Sequence, residues 1–482
     1  MATALKHLDP WINGQADTAA GRRTYTHVSP VDNKPAAEIV DSDAAVVDAA
    51  VQSAHAAYRA NRKQPMAVRA GWLNAAAKEI DAVRDEIVAV LMRDIGKPRK
   101  PATFEATRTA QFLRFTANEM TSMGGESLPL DVMAAGAGKY GFTRRVPYGV
   151  VGAITPFNAP ANLFIQKVAP ALAMGNAIVV KPAPQGVETA LIIARAFKKA
   201  GLPDGMLNIV PGNREAAAAL AAHKLVDVVT FTGGTQAGEA LARAAGAKKF
   251  VAEMGSNAAN LVCADADLAD AAARIAGSAF EASGQQCISA QRIIVEGAVL
   301  DKFLELFVAA AKKLKVGPVD DEDVAVGPMV SMAAADRVQA MVDDAVKKGA
   351  RLALAPTRDG AILGPAIVVD ASPEARLMQE EAFGPVAVVI KAGDLDDMLR
   401  IANSTEFGLQ GACFTGSLAT AFRVSEDLDV GSLWINEGSR FRIDTYPFGG
   451  VHSSGFGREG VRYAMEELSQ LKFTGIRIPG RP

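Results

Sequence analysis

The chain has 482 residues, a net charge of −2, 49% apolar and 22% charged residues, which describes a soluble globular protein long enough for more than one large core. That balance excludes a general attraction to nucleic acid or membrane. Three widely spaced cysteines, Cys263, Cys287 and Cys413, fit neither a disulfide framework nor a zinc pattern and point to a reducing compartment. Residues 1–7 lack a basic segment followed by an apolar one, and charges break every Ala-rich run, so a cytoplasmic protein without leader or membrane span is expected.

Turn-rich sequence (Trp11-Ile-Asn-Gly14, Ser29-Pro30) gives way to an Ala-rich helix from about Asp43. Leu73, Ala76, Ala77, Ile80, Val83, Ile87 and Leu91 recur at helical spacing, predicting one surface helix over 73–92 that Gly96-Lys-Pro98 ends. Another helix is expected over 101–120, then a Gly-rich passage and a strand over 140–146. From Gly149 short apolar runs alternate with amphipathic segments: strands at 150–155, 177–181, 207–210, 226–230 and 250–253, helices at 161–173, 188–200, 214–222 and 235–245. This alternation specifies βαβ units and a parallel sheet covered on both faces. Ligands of such sheets bind beyond the carboxyl ends of the strands. Four segments fall there: Thr155-Pro156-Phe157-Asn158, Lys181-Pro-Ala-Pro184, Thr230-Phe231-Thr232-Gly233-Gly234 and Glu253-Met254-Gly-Ser256. A second β/α series over 259–440 carries Cys287, and Asp320–Asp323 reads as a solvated acidic loop. After a helix near 459–470, the tail strand Leu471–Ile478 has no hairpin partner nearby, so pairing with another chain is expected.

Cys287 stands in Glu281-Ala-Ser-Gly-Gln-Gln-Cys-Ile-Ser-Ala-Gln-Arg292, where small and amide residues give little cover and an apolar β run follows. This suits a nucleophile, although a free thiol is only a few per cent thiolate near neutrality and needs activation. A buried structural thiol is the alternative. Thr232 to Gly238 forms a glycine loop between strand and helix, where amides favour an anion. Glu239 in place of lysine excludes a P-loop, and a tight turn without ligand stays open. Lys181, ending an apolar strand, must reach water or an anion. None of the five histidines is spaced for metal, and none is expected; His452 lies in a glycine loop near the site.

Taken together, Thr155–Asn158, Val180-Lys-Pro182, Phe231–Gly234, Glu253–Ser256, Gly284-Gln-Gln-Cys287, Glu381-Ala-Phe-Gly-Pro385 and Pro447-Phe-Gly-Gly450 through Ser454–Glu459 resemble the NAD(P)-dependent aldehyde dehydrogenase superfamily, in order and over essentially the whole chain. The resemblance implies an α/β fold of two Rossmann-like parallel-sheet domains plus a small β oligomerisation flap. It assigns 1–120 with 140–252 to dinucleotide binding, 253–450 to catalysis, and 121–139 with 451–482 to assembly of a homodimer or homotetramer. It implies that Cys287 attacks the aldehyde carbon, that the Asn158 amide and the Cys287 N–H donate to the oxyanion, and that Glu253 activates the hydrolytic water. Glu459 would relay protons or pair with an arginine.

For NAD or NADP, the resemblance implies that Lys181 and Glu381 hold the riboses, that Phe383 packs on the nicotinamide ribose, and that Gly212, Gly233 and Gly234 admit the dinucleotide. Thr155, Pro156, Phe157, Phe231, Thr232 and Met254 complete that lining. Many NAD-preferring members carry an acidic residue where Pro184 stands, so nothing local repels a 2′-phosphate and NADP use is expected beside NAD. Phe157 replaces a tryptophan common in the family.

Asn162 and Gln166 share a helix face beyond Asn158, and the loop Arg440-Phe-Arg442-Ile-Asp444 precedes Pro447. With Cys287–Arg292 and Gly455–Gly460, these segments look like the lactaldehyde and semialdehyde branch. The expected substrate is therefore a small polar or anionic aldehyde, a hydroxyaldehyde or semialdehyde, met by Arg440 or Arg442 unless these form structural ion pairs. Acyl transfer or ester hydrolysis through the same thiol competes, but Glu253 argues for hydrolysis. A silent dinucleotide-binding protein would be expected to lack Cys287, Glu253 or Asn158, and all three are present.

Overall fold

The computed structural model describes residues 5–479; the first four residues of the stretch read for a leader, and 480–482 of the assembly segment, lie outside it. One sheet has the strand order Gly455–Phe456, Lys249–Glu253, Val228–Thr232, Val150–Thr155, Ala177–Pro182, Leu207–Ile209, Trp11–Ile12, Gln15–Ala16. Its five central strands run parallel, and the short strands at either end are antiparallel additions. Every residue of Val150–Thr155 and Ala177–Pro182 is buried, as strands covered on both faces require. Strand order reverses between Val150–Thr155 and Val228–Thr232, so the crevice beyond their carboxyl ends is the topological switch point. Both Asn158 and the glycine loop open there.

A second, seven-stranded sheet has the order Arg351–Leu354, Ala366–Val369, Val386–Ala392, Ala290–Glu296, Ala258–Val262, Gln410–Phe414, Ser432–Ile435, parallel except for the first strand. The chain passes from Glu253, last residue of a strand in the first sheet, to Ala258, first residue of a strand in the second. The carboxyl edge of one sheet therefore abuts the amino edge of the other. Cys287 precedes the strand Ala290–Glu296 on that amino edge.

Several elements differ from expectation. The helix over 73–92 is two, Met66–Ala82 and Arg84–Ile95, broken at Val83, whose φ/ψ of −108°/15° is not helical; Asp85 and Glu86 favour the new N-terminus. Leu73, Ala76, Ala77 and Ile80 are fully buried, so the first is a packing helix. Gly96, at φ 66°, closes the second as a left-handed cap. The strand expected at 226–230 is Val228–Thr232, because Val226 closes a turn onto His223 and the Asp227 carboxylate accepts from Val150 N at 2.9 Å.

The tail strand also differs. Ser469–Arg477 pairs antiparallel with Lys139–Pro147 of its own chain along all nine residues, and Ser127–Leu128 completes this small sheet. Residues 140–147, assigned above to the dinucleotide domain, thus belong with the tail, whereas Gly455–Phe456 of the tail segment joins the first sheet. Among the described residues no helix is long and apolar enough to cross a membrane, and no group of three or more His, Cys, Asp or Glu could hold a metal.

Candidate active site

After the helix Leu268–Phe280 the chain takes three successive left-handed residues, Ala282 (φ 52°), Ser283 (φ 60°) and Gly284 (φ 61°). For the two non-glycine residues this costs about 1–2 kcal/mol each, so the surroundings must impose it. Ala282 N donates to Ala325 O at 2.9 Å and Ser283 Oγ to Gly327 O at 2.8 Å, while Gln285 Oε1 accepts from Val330 N at 2.9 Å. A Cβ on Gly284 would lie 2.3 Å from Gly384 O. The loop is fixed before it reaches Cys287.

Cys287 is half-buried, and its Sγ donates to Glu253 Oε1 at 2.8 Å. The other Glu253 oxygen and Asn158 Oδ1 are buried without a partner. Asn158 and Cys287 line one cavity of about 460 Å³. Residues 17–474 match the Aldehyde dehydrogenase family, whose implied nucleophile, base and oxyanion donor this geometry brings together. The chain belongs to the aldehyde dehydrogenase family.

It is 35% identical over 477 residues to the 3-sulfolactaldehyde dehydrogenase of Priestia aryabhattai, 99% of either chain. Its structure resembles aldehyde dehydrogenase 21 from Physcomitrella patens in complex with the reaction product succinate (TM-score 0.95, 34% identity, 99% of this chain and 100% of that one). It likewise resembles the NADP-dependent glyceraldehyde-3-phosphate dehydrogenase from Bacillus halodurans complexed with NADP (TM-score 0.95, 32% identity, 98% and 99%).

Two carboxylates of this aldehyde dehydrogenase are pushed apart by their surroundings. Burial, then the charge of Glu459, raises Glu253 to about 7. Burial opposes ionisation of Glu459 too, but Lys167 Nζ and Arg442 Nη2, each at 3.0 Å, outweigh it and hold Glu459 well below the usual range. Burial first and Glu253 second push the Cys287 thiol up, so the resting thiol keeps its proton and offers it to Glu253.

The substrate candidates separate. Arg442 donates to Gln166 Oε1 at 2.7 Å and to Glu459, and lies 3.6 Å over the Phe448 ring. Arg440 is drawn aside by Glu281 and by Gln286 Oε1 at 2.8 Å. Both line the cavity, as does buried Asn162, whose Oδ1 has no partner. Gln166 does not line it: held between Arg442 and Asp444 Oδ1 at 3.2 Å, it orients the guanidinium. The loop itself is moored by Ser439 Oγ to Ile288 O at 3.0 Å and by Gln410 Nε2 to Phe441 O at 2.9 Å.

Sequence reasoning missed Arg108, which lines the cavity and holds Asp444 through Nε at 2.8 Å, and Lys167. Lys167 had a signal, a lone cation in the largely apolar run Leu163–Ala173, which demands a partner; Arg108, in a helix of mixed polarity, had none.

The cofactor candidates lie around the switch point. Lys181 is 7% exposed without a side-chain hydrogen bond, and burial, partly opposed by Asp41, lowers it to about 8. The helix Thr235–Ala245 starts at Gly234 with no side-chain cap and open space beside that glycine. A desolvated lysine and an uncapped helix N-terminus fit a pyrophosphate with its ribose. Glu381 accepts from Ser256 N at 3.1 Å and burial pushes it up to about 8; Gln291 Oε1, accepting from Ala382 N at 3.1 Å, fixes its loop. Phe383 meets Phe157 edge-on at 5.7 Å between centroids.

Thr155, at its strand end, is buried and Pro156 half-buried, and Pro184 opens a half-buried turn. Gly212, at φ 150°, abuts Ser42 and Ala216. Phe231 and Met254 are buried beneath the glycine loop, where a Cβ on Gly233 or Gly238 would strike them. Thr232 is turned away: its hydroxyl donates to Glu459 Oε1 at 3.3 Å, joining that carboxylate's hydrogen bonds to Lys167 and Arg442. His452 is exposed.

Proposed function

We propose that this aldehyde dehydrogenase oxidises a small aldehyde bearing an anionic or hydroxyl group to its acid, with NAD or NADP as acceptor. The carrying observation is the Cys287–Glu253 contact at a cavity whose wall holds more cations than carboxylates. Lys97, Arg108, Arg274, Arg440 and Arg442 line it, against Glu105, Glu281 and Glu437. Lys97, Arg274 and Arg440 are neutralised by those three carboxylates within the wall. The partners of Arg108 and Arg442, Asp444 and Glu459, stand behind it, so these two guanidiniums turn positive charge to the substrate. Arg442 Nε is also buried without a partner. The sulfonate, carboxylate and phosphate named for the relatives' ligands suit such a pair.

In the proposed reaction Glu253 takes the thiol proton and Cys287 Sγ attacks the aldehyde carbon. The Asn158 amide and Cys287 N–H donate to the oxyanion, one such donor lowering the barrier by about 3 kcal/mol. The bound dinucleotide supplies the hydride acceptor. Glu253 releases the thiol proton to solvent and then draws a proton from the water that cleaves the Cys287 thioester, while ionised Glu459 holds Lys167 and Arg442 in place. Lys181 and the free amides at the start of the helix Thr235–Ala245 would anchor the coenzyme, and Pro184 leaves room for a 2′-phosphate. The three free thiols suit a reducing compartment such as the cytoplasm.

The test is NAD(P)H absorbance with purified protein and aldehydes differing in charge and length. Semialdehydes or sulfonated aldehydes should give the highest kcat/KM. Coenzyme reduction with long alkyl aldehydes alone would sink the substrate assignment, and no reduction with any aldehyde would sink the reaction.

A further inference from the structure

We propose that Glu105 is a positioning residue for the oxyanion site: a detached cap, supplied by one helix to the start of another, that sets Asn158 against Cys287. The helix Asn162–Ala173 starts four residues beyond Asn158, and its own cap position is Ala161, which has no acceptor. The acceptor comes from the helix Arg99–Glu119, where Glu105 Oε1 takes Ala161 N at 2.9 Å and Asn162 N at 3.3 Å. Glu105 also pairs with the Lys97 ammonium, and both side chains are over nine-tenths buried. A carboxylate here satisfies two otherwise orphaned amides and complements the helix dipole.

The same strut reaches the nucleophile. Lys97 follows Gly96, where a Cβ would lie 2.6 Å from Pro328 Cγ, and a Cβ on Gly327 would lie 2.7 Å from Gly96 O. Gly327 O accepts from Ser283 Oγ of the left-handed turn before Cys287. On the other side Leu163 N bonds Ala159 O, making the asparagine turn continuous with the capped helix. Ser283, Gly327, Gly96, Lys97, Glu105 and Ala161 thus form one buried path between the loops bearing the thiol and the amide.

The inference rests on the oxidation chemistry proposed above, and its experiment separates the two. The double variants Lys97→Met/Glu105→Gln and Lys97→Met/Glu105→Leu remove the ion pair equally, and only the first keeps an acceptor. The single-turnover burst of NAD(P)H should be about tenfold or more slower in the leucine variant than in the glutamine variant. Coenzyme Kd should be the same in both. Hydrogen exchange at the Ala161 and Asn162 amides should quicken about tenfold in the leucine variant alone. Should that variant not fold, Glu105→Asp, which keeps the charge but withdraws the oxygen by one methylene, should slow the burst in the same direction with unchanged coenzyme Kd. Equal bursts and equal exchange in the two double variants, or an aspartate variant at parental rate, would overturn the role. A parent that reduces no coenzyme refutes the oxidation instead, and amide exchange still decides the cap.

Discussion

Glu253 and Glu459 share one buried network, yet only Glu253 can exchange a proton near neutrality, because Lys167 and Arg442 act on Glu459 first. Glu253 works as base only when ionised, and its raised pKa puts that form above about 7. Turnover limited by thioester hydrolysis should therefore climb over roughly pH 6 to 8 and then level. Glu253→Gln should slow the NAD(P)H burst, because the thiol loses its proton acceptor, and should lose steady turnover and that limb, whereas Cys287→Ala should abolish oxidation and leave coenzyme binding intact. A pH–rate limb that survives in Glu253→Gln belongs to another group.

The arginines are argued at the same scale. Arg108→Leu or Arg442→Leu should each lower kcat/KM for a semialdehyde by roughly 10- to 100-fold, the worth of a charge-assisted contact, and largely spare propanal. Arg440→Leu should do less, since Glu281 already neutralises that charge. If all three treat charged and neutral aldehydes alike, the cavity does not read charge.

Among elements, the strand ends carry the proposed coenzyme choice. Lys181 is the last residue but one of its strand and Pro184 opens the next turn, so a carboxylate at 184 would stand close to the lysine. Pro184→Glu should raise KM for NADP far more than for NAD, by repelling a 2′-phosphate. Equal changes would show that residue 184 faces elsewhere. The strand Val228–Thr232 shows what periodicity could not supply: its start is set by Asp227 reaching across to Val150, a contact between strands rather than a local preference.

At the scale of the whole molecule, Ser469–Arg477 has an in-chain partner on one side and forms the rim of its sheet on the other. Leu471, Phe473 and Ile476 are exposed there, with Tyr140 and Phe142 of the neighbouring strand. An open apolar edge invites pairing. Sedimentation should show a homodimer or homotetramer, and Leu471→Lys with Phe473→Lys should shift it towards monomer. A fully active parental monomer would count against this assembly.

The sequence by itself determined the β/α alternation and hence the strand ends, because short-range pattern specifies strands and turns, and the family resemblance of its motifs pointed to Cys287, Glu253 and Asn158. Only the tertiary structure decided which charges meet. Arg108 and Asp444 lie 336 positions apart and Arg442 and Gln166 276 apart, distances over which no local spacing carries information. The tail strand found its partner more than 320 positions earlier for the same reason. A charge's role depends on what desolvates and neutralises it, and both are properties of the folded interior rather than of neighbours along the chain.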